Sequence, residues 1–192
     1  MEPTLITEEF VSRLAKLDKI CNQFHLSLQS ACDDTLKRMN RRYTIEEFKE
    51  GVELLRKVYP RVSLTTDVIV GFPGETDEEF NITYENLEEI KFYKMHIFKY
   101  SPRKGTRAAV MPNQIDGNVK EERSRKLIEL SDKNEKEYNN QYIGKEVEVL
   151  FEEPHLENGK RYMKGHTTNY LATKVQTNKK LDNEIRKVKI TK

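Results

Sequence analysis

Thr65-Thr66-Asp67-Val68-Ile69-Val70-Gly71-Phe72-Pro73-Gly74-Glu75-Thr76 runs from an apolar strand through a two-glycine turn into a helix cap. Leu64 to Val70 is β-branched and apolar apart from one charge, the pattern of a strand buried on both faces. Gly71 and Gly74 permit a sharp turn and a close approach of backbone to ligand. Thr76, with Glu79 three residues on, is a capping box for the next helix. Such a unit sets backbone N–H groups at the carboxyl edge of a parallel sheet, where α/β folds bind ligands. Asp67, the one charge in the strand, is the first candidate for touching that ligand.

Working outward, the strand over 62–70 leads to a helix over 76–91 and a strand over 93–100 that holds Met95, Ile97 and Phe98. Upstream, Thr44 and Glu47 form a second capping box for a helix through about Val58. Its apolar positions are Phe48, Val52 and Leu55, and Pro60 ends it. Phe24 to Gln29 alternates, Leu26 and Leu28 toward covering helices, His25, Ser27 and Gln29 the other way. Cys32 to Met39 predicts a short helix. Thr7 caps another over 7–20, with Glu8 and Glu9 at its positive end and Phe10, Leu14 and Leu17 at helical spacing. Strands and helices alternating with short joints imply right-handed crossovers and a parallel sheet. Pro102, Gly105 and Pro112 mark a long loop, and residues 119–142 a charged amphipathic helix with Leu127, Leu130 and Tyr138 on its apolar side.

At Gly144 the period changes to two. Val147, Val149 and Phe151 alternate, as do Leu171, Thr173 and Val175, then Val188 and Ile190, with turns at Glu157-Asn158-Gly159 and over 178–183. These short strands predict a small antiparallel β-barrel. The expected division is near Tyr142, giving an α/β part over 1–142 and a β part over 143–192.

The 192 residues are 36% hydrophobic and 34% charged. No apolar run reaches membrane-spanning length, and the N-terminus lacks a signal-peptide pattern, so the expected location is cytoplasmic with no membrane partner. Residues 1–142 hold 23 Lys and Arg against 25 Asp and Glu; residues 143–192 hold 11 against 7. The basic tail either meets a polyanion or is ordinary surface. Cys21 and Cys32 lack metal-binding spacing and read as reduced thiols.

Gln29, Ser30, Asp67 and Tyr100 stand at strand carboxyl ends, where residues from different strands converge on one ligand. Asp67 either serves that ligand or pairs with a local arginine or helix end, because an unpaired buried carboxylate is expensive. Arg41 and Arg42, at the rim of the same edge, either clamp a carboxylate or sugar or are solvated. The Gly71–Glu75 turn fits a phosphate, an adenine or a mere tight connection. His25 reads as a hydrogen-bonded core histidine; His96, His155 and His166 have no ligand-like spacing, so no metal is expected. No Ser–His–Asp pattern or activated thiol is present.

Together, Phe24 to Ser30, Leu36 to Thr44, Thr65 to Thr76 and Tyr100 to Thr106 resemble the radical S-adenosylmethionine methylthiotransferases, and Gly165-His-Thr-Thr-Asn-Tyr170 resembles the TRAM domain that closes them. The wording of these stretches, with Lys94 to Thr106, resembles the branch acting on threonylcarbamoyladenosine in tRNA more than the isopentenyladenosine or ribosomal-protein branches. The resemblance implies an α/β fold, part of an incomplete parallel (β/α) barrel, followed by an OB-like antiparallel barrel. It implies S-adenosylmethionine and two [4Fe–4S] clusters in the full-length protein, one held by a CxxxCxxC triad that makes a 5′-deoxyadenosyl radical. Sulfur and methyl are then installed at carbon 2 of the adenine beside the anticodon.

The chain departs from that pattern by lacking CxxxCxxC. It is therefore expected to be a fragment with no catalytic residue of its own and no activity alone, and its opened sheet edge suggests self-association. Ala31 replaces a glycine usual in that turn. Carried over from the family, Gln29 with Ser30 beside it meets the ribose of S-adenosylmethionine, Arg41 its carboxylate or ribose, and Asp67 the ribose hydroxyls. Gly71 and Phe72 line the adenine. Lys164, His166, Asn169 and Tyr170 suit the tRNA anticodon stem-loop, lysine by phosphate contact and tyrosine by stacking; Tyr170 reads equally as a barrel-core aromatic. No DNA partner is expected. The alternatives are the isopentenyladenosine enzyme, a non-catalytic RNA-binding module, and a phosphate-binding barrel enzyme using the glycine turn.

Overall fold

The computed structural model describes residues 1–191. Thr7 accepts a hydrogen bond from Phe10 N and caps α1 (Glu8–Leu14). The helix is shorter than its apolar spacing predicts: the chain turns after Ala15, which leaves Leu17 exposed. Then follow β1 (Gln23–Gln29), α2 (Asp33–Arg38), α3 (Ile45–Val58), β2 (Ser63–Val70), α4 (Asp77–Ile90), β3 (Lys94–Lys99) and α5 (Gly117–Asn140). Both capping boxes form, Thr44 with Glu47 and Thr76 with Glu79.

The three strands make a parallel sheet in the order β1-β2-β3. Helices cover one face. Leu26, Leu28, Leu64, Val68, Val70 and Met95 pack there with Phe48, Val52, Leu55, Leu87, Ile90, Leu127 and Leu130. The other face, carrying His25, Asp67, Ile69, His96 and Phe98, has no covering layer among the described residues; Asp67 and Ile69 are half-buried and Phe98 is exposed. The expectation of a strand buried on both faces is corrected accordingly. Apolar β2 is central, yet only one of its faces lies under helices.

After α5 the chain forms β4 (Glu146–Glu157), β5 (Lys160–Thr167), β6 (Ala172–Gln176) and β7 (Glu184–Lys189), an antiparallel sheet in the order β6-β5-β4-β7. β5 lies at its centre although its sequence, with Met163 as the one aliphatic residue, carries little strand signal. Val149, Phe151 and Met163 form a small second core against Val147, Val175, Leu181 and Val188.

Asn169 ties this sheet to the long helix. Its amide donates to Tyr138 Oη (2.7 Å) and Tyr142 Oη (2.6 Å), and its carbonyl accepts from Thr167 Oγ1 (2.6 Å). Tyr138 in turn donates to Arg61 O (2.7 Å), at the start of β2's approach.

Candidate nucleoside-binding edge

The carboxyl ends of β1 and β2 and the loop after β3 come together as the alternation requires. Tyr100 N donates to Val70 O (2.9 Å), and Gly74 N donates to Asn113 O (2.9 Å), so the loop after β3 folds back on the glycine turn. Gly71 (φ +70°) and Gly74 (φ +81°) adopt left-handed backbone that favours glycine. A Cβ at Gly71 would also lie 2.3 Å from Lys120 Cγ.

A hollow of about 650 Å³ opens at this edge, within the range of small-molecule sites. Ile69, Phe72, Met39 and Met111 give it apolar walls, and Arg41, Arg38, Lys37 and Arg107 give it a cationic side. Tyr100 packs edge-on against Phe72, ring centroids 5.2 Å apart. Arg41 Nε and Tyr100 Oη are buried with no hydrogen-bond partner among the described residues. Orphaned donors of this kind are what a bound polar ligand satisfies.

Of the residues singled out in the sequence, Arg41 and Phe72 line the hollow together. Asp67 stands one pleat below Ile69 on the same open face, and Gln29 (φ +70°) ends β1 on that face. Ser30 is turned away: its hydroxyl is buried against Thr83 of α4 (Oγ to Oγ1, 3.4 Å). The Gly71 amide is not free for a phosphate, because it donates to Glu75 Oε1 (2.9 Å). The Glu75 and Thr76 amides are likewise taken, by Phe72 O and the Glu79 carboxylate. The turn is thus internally satisfied and acts as a wall.

Asp67 pairs with neither an arginine nor a helix end. His25 Nε2 lies 3.3 Å from Asp67 Oδ2, His25 Nδ1 lies 3.0 Å from Thr65 Oγ1, and Gln23 Nε2 donates to that same hydroxyl (3.2 Å). His25 therefore belongs to a polar relay on the open face, outside the core. His96 stands beside Asp67 in register. Ligand atoms of His25, Asp67 and His96 lie within 4.8 Å of one another, a donor set that suits a divalent cation by type. These residues sit on three strands, so sequence spacing could not pair them.

Two ion-pair networks brace the turn, and neither was read from the sequence. Arg123 of α5 donates to Glu75 Oε1 (2.7 Å), to Glu75 O (3.1 Å) and to Asp77 Oδ1 (2.7 Å). Burial pushes the Glu75 carboxyl up, against the opposing Gly71 amide and Arg123 charge. Arg38 donates to Pro73 O (3.2 Å) and grips both Glu79 oxygens. Burial works against ionisation of Glu79, but the Arg38 fork and the Thr76 amide outweigh it and hold its pKa below the usual value.

In the tail, Tyr170 (φ +65°) is exposed and stacks on His166, centroids 4.6 Å apart and planes 12° apart. His166 Nδ1 lies 2.7 Å from Glu152 Oε2. Lys164 and His166 border a groove of about 870 Å³. Asn169, by contrast, is buried in the link to α5. Tyr170 is accordingly a surface aromatic, outside the tail core.

A parallel sheet with helices on one face and a hollow at its carboxyl edge defines an α/β protein, and residues 1–87 match the Radical SAM superfamily. The fold resembles Escherichia coli coproporphyrinogen III oxidase, a radical SAM enzyme, with a TM-score of 0.59 at 17% identity, over 70% of this chain and 31% of that one. The chain is 44% identical over its whole length to threonylcarbamoyladenosine tRNA methylthiotransferase MtaB of Bacillus subtilis (strain 168). It is 43% identical over 79% of its length to a tRNA-2-methylthio-N(6)-dimethylallyladenosine synthase of Alkaliphilus oremlandii, and 38% over 99% to that of Clostridium tetani. The chain is thus a relative of the radical SAM tRNA methylthiotransferases. It spans 43% of the Bacillus protein's length and 32% of the Alkaliphilus protein's.

Members of the superfamily use S-adenosylmethionine and an iron–sulfur cluster. The hollow, with its apolar walls and the orphaned Arg41 Nε on its lining, has the volume and mixed polarity that the nucleoside of the first requires. The chain's own thiols do not fit the second: exposed Cys21 and buried Cys32 cannot supply three thiolates to one cluster. No helix among the described residues is long and apolar enough to cross a membrane.

Proposed function

We propose that this chain supplies the S-adenosylmethionine-binding edge and an RNA-contacting tail of a tRNA methylthiotransferase acting on threonylcarbamoyladenosine. The observation that carries the reading is one hollow shared by Arg41 and Phe72, continuous with an open face that bears Gln29 and Asp67. Asp67, oriented by His25, accepts from the ribose hydroxyls. Arg41 donates to the ribose or the methionyl carboxylate, and Phe72 with Ile69 covers the adenine. When bound beside a reduced cluster, S-adenosylmethionine supplies the radical that activates the target carbon. The chain's own part is to hold the nucleoside at a fixed angle and keep water off the adenine face.

The threonylcarbamoyl substrate is favoured because 44% identity to the Bacillus protein extends over the entire chain. The dimethylallyl substrate is the second reading, supported by the Clostridium relative at 38% identity over 99% of the chain. Comparing tRNA nucleosides from a deletion strain and its parent separates the two. Loss of the methylthio group from threonylcarbamoyladenosine alone is expected; loss from the isopentenylated nucleoside instead overturns this choice.

The domain division is proposed near Tyr142, with 143–192 as a TRAM-like barrel. Tyr170 stacked on His166, with Lys164 nearby, is proposed to receive an unpaired base of the anticodon stem-loop. Asn169 serves that surface only by anchoring it to α5. By itself the chain is proposed to be catalytically silent, since it has no thiolate triad.

A further inference from the structure

Three side chains with metal-ligating atoms meet on the open face of the parallel sheet, and none of them lines the hollow. His25 of β1, Asp67 of β2 and His96 of β3 stand on adjacent strands. Asp67 lies opposite His96, and His25 lies one pleat back, opposite Thr65. Spacing along the chain carries no ligand pattern here; the strand register supplies one across the sheet. No covering layer lies over this face among the described residues, so the cluster is open from one side.

The distances are close to those a metal ion needs. Bonds of about 2.0–2.2 Å at tetrahedral angles put ligand atoms about 3.3–3.6 Å apart. His25 Nε2 and Asp67 Oδ2 are already 3.3 Å apart. All three ligand atoms lie within 4.8 Å of one another, and His96 is exposed, so rotation of its side chain closes the remaining gap. Asp67 has no ion-pair partner other than His25 among the described residues.

His25 is also held as a ligand is held. Its Nδ1 lies 3.0 Å from Thr65 Oγ1, and Gln23 Nε2 donates to the same hydroxyl (3.2 Å). A hydroxyl both donates and accepts, so Thr65 serves His25 in either tautomer. Without an ion, Nε2–H is given to Asp67. With one bound, Nδ1–H donates to Thr65 and the Nε2 lone pair turns to the ion, the arrangement that metal-ligating histidines keep.

We propose that His25, Asp67 and His96 bind one divalent transition-metal ion of the zinc type, through two imidazole nitrogens and a carboxylate oxygen. Three protein ligands leave a fourth position open on the uncovered side, as in zinc sites that act on a bound molecule rather than brace a fold. That position takes water or an oxygen donor of a small ligand. The site goes beyond the nucleoside reading and does not depend on it: Asp67 meets His25 through Oδ2, which leaves Oδ1 for the ribose.

The test is calorimetric titration of the whole chain, its thiols kept reduced, with Zn²⁺, and a parallel Co²⁺ titration read by visible absorption. The unaltered chain is expected to take up one equivalent of Zn²⁺. His96→Gln, at an exposed position, is expected to weaken uptake about a hundredfold or more, since losing a residue that merely hydrogen-bonds a ligand already costs about 10–100-fold. Asp67→Asn is expected to do the same. His166→Gln, which removes the other histidine paired with a carboxylate, and Cys21→Ser, which removes the exposed thiol, are expected to bind as the parent does. The Co²⁺ spectrum is expected to lack thiolate charge transfer. No uptake by the unaltered chain, full affinity in His96→Gln, or a loss in His166→Gln or Cys21→Ser overturns the site. S-adenosylhomocysteine binding, measured with a chelator present, is expected to be unchanged in His96→Gln, so the metal site and the nucleoside edge fail or stand separately.

Discussion

Arg123→Ala is expected to lower the free energy of unfolding by about 3–5 kcal/mol near neutral pH, because it strands a buried carboxylate. The Glu75 side chain is 2% exposed and that of Arg123 6%. Among the described residues nothing else charged positive is bonded to that carboxylate; its remaining partner is the Gly71 amide. Burial already pushes Glu75 up in the intact protein, and removing the guanidinium lifts it further. A carboxyl with a folded pKa above its unfolded one prefers the folded state when protonated. The variant's deficit is therefore full above the folded pKa and shrinks as pH falls toward the unfolded value. Urea unfolding at pH 8 and at pH 5 checks this. A deficit equal at both pH values contradicts it. Adding Glu75→Gln to Arg123→Ala is expected to recover part of the loss at pH 8, since the amide still accepts from Gly71.

Gly165→Ala is the second large effect, about 3 kcal/mol or more, and it falls on the tail sheet. A Cβ at Gly165 would lie 2.1 Å from Leu150 O, 2.8 Å from Leu150 C and 2.8 Å from Phe151 Cα. All three are backbone atoms, so no side chain can rotate aside. The approach arises where the β4–β5 register slips between Phe151 and Glu153, drawing the two backbones together opposite Gly165. Hydrogen exchange is expected to accelerate across β4 to β7 while the β1–β3 amides keep their protection. Unchanged protection in β4 and β5 would show that the strands tolerate the methyl group.

The period-two and period-3.6 patterns carried most of the fold. Both capping boxes, the helix faces of β1 and the core positions Phe48, Val52 and Leu55 follow from local spacing, and local forces decide them. Three features did not follow. Asp67 looked buried because its neighbours are, but it faces the side that helices leave open. The glycine turn fitted a phosphate, an adenine or a tight connection, and which of these applies did not follow: Glu75, Glu79 and Asn113 take its Gly71, Thr76 and Gly74 amides, and such partners are invisible to a motif. Arg123 braces that turn from a helix 48 residues further on. A lone glycine inside a strand does signal close backbone approach, and Gly165 carried that signal without its being used.

For the site, Arg41 and Phe72 line one hollow, while Gln29 at the end of β1 and Asp67 within β2 stand on the open face beside it. Which way each side chain turns was not legible in the sequence. Ser30 follows Gln29 directly, and the left-handed backbone at Gln29 swings it under α4. Asn169 sits beside Tyr170, but its amide satisfies two tyrosine hydroxyls within the protein, while the aromatic ring beside it is exposed. Arg107, which lines the hollow, opens a 3₁₀ turn over Arg107–Val110 that has no periodicity to mark it.

The most direct measurement is an NMR titration of the isotope-labelled chain with S-adenosylhomocysteine, the stable product analogue of the nucleoside ligand. The amides of Gln29, Arg41, Asp67 to Phe72 and Tyr100 are expected to shift together along one binding curve, and Asp67→Asn is expected to weaken that curve without altering the rest of the spectrum. Shifts confined to other parts of the chain, or none at saturating ligand, would contradict a nucleoside site at this edge.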